Sequence, residues 1–194
     1  RSATACACGR ASPEREAGRP FRERIGRSPP APTAMTRRTP SAKPFEPAFL
    51  EGLVDIFENQ MVFDRVIGLR VVSIAAERVA GRIDMRPDLV GHFAYRRLHG
   101  GVISTGLDAM AGRASMAARG ARHMDETVAQ RLARFARLGT IDLRVDFLRP
   151  AIGDRFDLSA EVIRIGSRVA STRMEFRGAD GTLLSTGTAA YIVS

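Results

Sequence analysis

The run LHGGVISTGLDAM (98–110) sets His99, Gly100 and Gly101 ahead of an apolar stretch that carries one carboxylate, Asp108. These residue types can do chemistry. An aspartate can take a proton from water or attack an electrophilic carbon itself. The unpaired amides and positive dipole of a helix start suit a developing negative charge. Gly100 and Gly101 are poor helix formers but good helix beginnings, because backbone without a Cβ can be approached closely. From Val102 onward the spacing predicts a buried helix over 99–118, with Val102, Ile103, Leu107, Met110, Ala111 and Ala114 on most of its circumference. Gly100, Ser104, Asp108 and Gly112 recur every fourth residue as a narrow, small, polar stripe. A carboxylate buried on such a stripe is costly unless it is paired, hydrogen-bonded or near water. Two readings follow: a catalytic group, or an interior carboxylate capped by Ser104 or Thr105.

The elements that would hold this helix are legible as periods. PAFLEGLVDIFENQM (47–61) places Phe49, Leu53, Ile56 and Phe57 on one helical face. Residues 67–87 read as a β-hairpin turning near Ala76–Glu77, with Val79, Gly81, Ile83 and Met85 alternating against Ala80, Arg82 and Asp84. DLVGHFAYRR reads as a loop into the central helix. DETVAQRLARFARL (125–138) reads as a second helix capped by Asp125, with Val128, Leu132 and Phe135 inward and Arg131, Arg134 and Arg137 outward. The rest is strand: Ile141, Leu143, Val145 and Phe147 alternate, as do Ala170, Thr172, Met174 and Phe176. Gly153–Asp154, Gly166–Ser167 and Asp180–Gly181 punctuate the strands as hairpin turns. An antiparallel sheet needs an apolar element laid across one face, and 99–118 is the one hydrophobic enough.

With 194 residues and 44% hydrophobic composition, the chain suits one domain with a real core. We expect a basic N-terminal tail over 1–44 and the folded domain over 45–194. Residues 1–34 hold seven arginines against three glutamates, so they carry +4 of the net charge of +9. That segment is too poor in aliphatic residues to build a core and lacks the apolar run of a secretory signal. Met35 reads as a more natural beginning, with 1–34 upstream sequence or a dispensable tail. Cys6 and Cys8, the only cysteines, form a weak C-x-C pair read as free thiols, in keeping with a reducing, cytoplasmic setting. No stretch approaches a membrane span.

LHGGVISTGLD resembles the HGG…D signature of the PaaI-like acyl-CoA thioesterases, GTIDLRVDFLRPA resembles the strand after the helix in their bacterial members, and DGTLLSTGTAAYIV resembles their last strand. The similarity covers roughly 45–194. It implies an α+β hotdog fold, an antiparallel sheet wrapped around a long central helix, acting as a homodimer or homotetramer on acyl-CoA without metal or organic cofactor. It implies that the Gly100 amide holds the oxyanion and that Asp108 attacks or activates water, the choice staying open. His99 shapes the helix start; Gly101, Ser104, His92 and Phe93 line the substrate. Relatives carry Asn or Gln about where Phe93 stands, so His92 is the polar candidate there. For the CoA phosphates Arg168, in the GSR turn, is preferred over Arg96, Arg97 and Arg149. On one helix at ~1.5 Å per residue, Gly100 and Asp108 lie roughly 12 Å apart. They cannot serve one carbonyl, and two antiparallel helices in a symmetric dimer would bring them together.

Two other functional classes fit parts of the sequence. Hydration or dehydration of acyl thioesters on the same fold needs an Asp and a His a few residues apart, and no histidine follows Asp108 until His123. A non-catalytic acyl-CoA-binding module is the second, with basic residues contacting a partner. His92, His99 and His123 have no H-x-x-x-H spacing for a metal. The tail arginines suit salt-dependent nonspecific DNA binding, but no specific nucleic-acid motif accompanies them.

Overall fold

Small residues let one long helix lie close on a sheet, and that contact organises the fold. The computed structural model describes residues 45–194. The expectations for 1–44, Cys6 and Cys8 included, lie outside the described residues. Helix α1 (Pro47–Asp55) runs through a π-helical turn at Ile56–Gln60 into α2 (Val62–Ile67), which ends on Gly68 in the left-handed region. The hairpin β1 (Arg70–Ile74) and β2 (Arg78–Asp84) follows. Short β3 (Val90–His92) and β4 (Arg97–Leu98) lead into α3 (Gly100–Arg122). After α4 (Val128–Ala133) come β5 (Gly139–Phe147), β6 (Arg155–Ile165), β7 (Val169–Gly178) and β8 (Leu183–Ile192).

Six strands form one antiparallel sheet in the order β1-β2-β6-β7-β8-β5, and β3 pairs with β4 apart from it. Helix α3 lies across one face of the sheet, packing chiefly on β6 and β7. Leu107 and Met110 are fully buried against a layer that includes Ile83, Phe156, Leu158, Met174 and Phe176. A Cβ on Gly106 would stand 2.8 Å from Leu158 Cδ2, so a larger residue there would push helix from sheet. The expected α+β hotdog architecture is therefore present.

Several local expectations need correction. The loop 88–97 holds the β3–β4 pair, whose two to three residues per strand are too short to show a period. Asp125 does not cap a helix: Thr127 does, in a reciprocal capping box with Gln130, and only Val128–Ala133 is α-helical before a 3₁₀ turn at Arg134–Arg137. Arg131 is not on a solvated face. It is buried, paired with Glu46 and stacked 4.2 Å above the Phe49 ring, because α1 packs over it. Arg134 pairs with Glu126, and Arg137 alone of the three is exposed. Strict alternation also fails in β5, where Ile141 and Phe147 are exposed. The register shifts between Thr140 and Asp142, and β5 is the sheet's edge.

Candidate active site

The polar stripe of α3 faces one wall. A Cβ on Gly100 would touch the Phe147 ring, Asp108 is bonded to Thr140 and Tyr191, and a Cβ on Gly112 would meet Tyr191 and Leu138. Those neighbours come from β5, β8 and the segment entering β5. The two chemically suited positions lie at opposite ends of β5, Gly100 beside Phe147 and Asp108 beside Thr140.

At the helix start, His99 is the N-cap and its Nδ1 accepts from the Gly101 amide at 2.9 Å. The Val102 and Ile103 amides donate to the His99 carbonyl. Among the described residues no acceptor reaches the Gly100 amide, which leaves it and the helix dipole for an outside oxyanion. A Cβ at 100 would meet only ordinary contact, 3.5 Å from Phe147, so internal packing does not demand glycine there. A cleft of about 400 Å³ opens at this point, lined by Gly100, Ile103, Phe147 and Leu148 with Arg97 and Arg149 at its rim. Gly91 fixes the approach: a Cβ there would stand 2.5 Å from His99 Cα, and the His99 amide donates to Leu89.

At the other end Asp108 is half-buried beside a smaller cavity of about 140 Å³, shared with Met61, Phe135, Leu138 and Arg113. Its hydroxyl partners are not Ser104 or Thr105 but Thr140 and Tyr191. Ser104 bonds back to the Gly100 carbonyl at 3.1 Å, while Thr140 Oγ1 donates to Asp108 Oδ1 at 3.1 Å and the Tyr191 hydroxyl donates to the same oxygen. Burial, and next the Asp108 carboxylate, push the Tyr191 phenol far above its ordinary pKa. Behind Asp108, Arg113 donates to Asp64 Oδ2 at 2.9 Å and to the Phe57 carbonyl at 3.0 Å. Burial pushes the Asp64 carboxyl up, the Arg113 guanidinium pulls it back, and the charge of Asp108 adds a further upward push.

The remaining sequence candidates are dispersed. Phe93 is 88% exposed and stacks on half-buried His92, which also packs against Tyr95. Arg168 is exposed in the β6–β7 turn; the neighbouring Ala170 pairs with Tyr191, so it sits at the Asp108 end of the sheet. Sequence reasoning missed Thr140, Tyr191 and the Asp64–Arg113 pair. The available signal for Tyr191 was a hydroxyl-bearing aromatic on the inward phase of a strand otherwise lined there by the small residues Ser185, Gly187 and Ala189.

The thioesterase superfamily model matches residues 95–185, which span both halves of this site. The medium/long-chain acyl-CoA thioesterase YigI of Salmonella typhimurium is 35% identical over 139 residues, covering 72% of this chain and 90% of the relative. A crystal structure from Shewanella oneidensis, described as related to the thioesterase superfamily, is 36% identical with a TM-score of 0.72, covering 77% of this chain and 100% of that one. Thioesterase superfamily member 2 from Mus musculus, at 19% identity and TM-score 0.59 over 74% of this chain and 96% of its own, shares the fold. A long helix with a free N-terminal amide, a carboxylate on the same stripe and these likenesses agree: the chain belongs to the hotdog thioesterase superfamily.

Proposed function

We propose that the protein hydrolyses acyl-CoA thioesters at two equivalent sites of a homodimer, each built from Gly100 of one protomer and Asp108 of the other. The observation that carries this reading is the separation of the free Gly100 amide from Asp108 along one helix, about 12 Å by helical rise. Neither half suffices alone. The edge strand β5 supplies a way to join them. Among the described residues it pairs only with β8, and it exposes Ile141 and Phe147, an apolar edge of the kind that templates pairing with a second chain. Antiparallel pairing of two β5 edges about a dyad between Leu143 and Arg144 sets Thr140 opposite Phe147 of the second copy. Asp108 of one chain then comes to the Gly100 end of the other.

In such a site the thioester oxygen takes the Gly100 amide, with His99 holding the helix start through Gly101. Asp108 takes a proton from water as the water oxygen bonds to the acyl carbon. The C–S bond then breaks and the proton passes to the departing sulfur, giving free acid and CoA thiol. Attack by the carboxylate itself gives the same products through an anhydride that water opens. The acyl group lies along the cleft of Ile103, Phe147 and Leu148. Ser104 stabilises the first turn of the helix, His92 and Phe93 shape the approach, and Arg168 with Arg97 and Arg149 meets the phosphates. The name of the Salmonella relative favours medium or long acyl chains.

Thiol release from a panel of short, medium, long and aryl CoA esters tests this. Continuous release with matching free acid is expected, highest on the medium and long chains. CoA esters that bind without releasing thiol would instead make the protein a binding module, and a hydrated ester with thiol retained would make it a hydratase.

A further inference from the structure

We propose that Tyr191 is the positioning residue of Asp108, anchoring one carboxylate oxygen so that the other is presented to water or the acyl carbon. The inference rests on the proposed role of Asp108 and adds a residue and an assignment of its two oxygens. Tyr191 is 2% exposed, and its strand position pairs with Thr140 on β5 and Ala170 on β7. Hydroxyls from two neighbouring strands thus converge on Oδ1 of Asp108. Among the described residues no donor reaches Oδ2. One oxygen is held twice and the other has no donor among the described residues, on a residue that lines the cavity.

A phenol that needed only an acceptor already has one, since the Asp108 carbonyl lies 2.7 Å from the same hydroxyl. The carboxylate is the stronger acceptor because it is charged. The phenol stays protonated throughout the range in which esters survive, burial and the carboxylate both holding it above its ordinary value. The charged and titratable groups around Asp108 are Tyr191 from β8, Arg113 from its own helix and Asp64 from α2, the last two compensating each other. Tyr191 therefore fixes the orientation of the Asp108 carboxylate.

The test combines rates with a direct probe of the pair. Tyr191→Phe retains the buried ring and removes the donor. It should lower kcat about tenfold with KM within about twofold. The chain has two tyrosines, so 3-fluorotyrosine incorporated into a Tyr95→Phe background labels position 191 alone, compared with unlabelled Tyr95→Phe. The fluorine resonance should shift in Asp108→Asn, which replaces the charged acceptor of the phenol by a neutral one. This arm decides the matter even where Tyr191→Phe folds poorly. An unchanged kcat in folded Tyr191→Phe, a loss confined to KM, or a fluorine signal indifferent to Asp108 each overturns the proposal. If Asp108→Asn is inactive while these fail, only the role of Tyr191 falls. If Asp108→Asn keeps full turnover, the proposed function and this role fall together.

Discussion

Asp108→Asn should lower turnover on acyl-CoA by at least about a hundredfold, the usual scale for losing a positioned base, while KM changes little. Asparagine has nearly the same volume, and its carbonyl oxygen can still accept from Tyr191 and Thr140, the two groups that hold Oδ1. The fold should therefore persist, and circular dichroism and the thermal midpoint should stay close to those of the wild type. What disappears is the negative charge and its basicity at the free oxygen. If Asp108 were only an interior carboxylate, the same change would leave the turnover of folded protein nearly normal. Steady-state rates normalised to folded protein separate the two.

The second large effect concerns stability. Arg113 and Asp64 are both almost fully removed from solvent, with 1% and 4% of their side chains exposed. Asp64→Ala leaves a buried guanidinium whose remaining strong acceptor is the Phe57 carbonyl. Breaking a buried pair from one side costs about 3–5 kcal/mol, so the urea midpoint should fall sharply. Asp64→Leu combined with Arg113→Met should recover most of that loss, because apolar groups of similar volume need no compensating charge. A single Asp64→Ala variant as stable as the wild type would show that water reaches Arg113 and that the pair is not sealed. The pair also lies beside Asp108, so the double variant reports whether its compensated charges matter to the rate.

The central helix was readable because its stripe, Gly100, Ser104, Asp108 and Gly112, is a local period that the chain alone determines. The same holds for the inward face of α1 and the alternation of β2. The edge strand was not readable in detail: burial of Ile141 and Phe147 depends on what lies beyond β5, and a register shift at Thr140–Asp142 breaks the period. Arg131 looked solvated because local spacing cannot reveal that Glu46 and Phe49 arrive from α1. Thr127 was a missed local signal, since T-x-x-Q is itself a capping-box pattern. Tyr191 meets Asp108 across 83 positions of sequence, a contact set by the registers of β5, β7 and β8 rather than by any motif.

Subunit complementation tests the shared site most directly. A side chain at position 100 projects into the cleft rather than the core, so Gly100→Val should block the oxyanion amide in a folded protein. Asp108→Asn removes the other half. Each homodimer should be nearly inactive, whereas verified heterodimers of the two variants should regain one of two sites and about half the wild-type turnover per dimer. Heterodimers no more active than their parents would contradict a site shared between two helices.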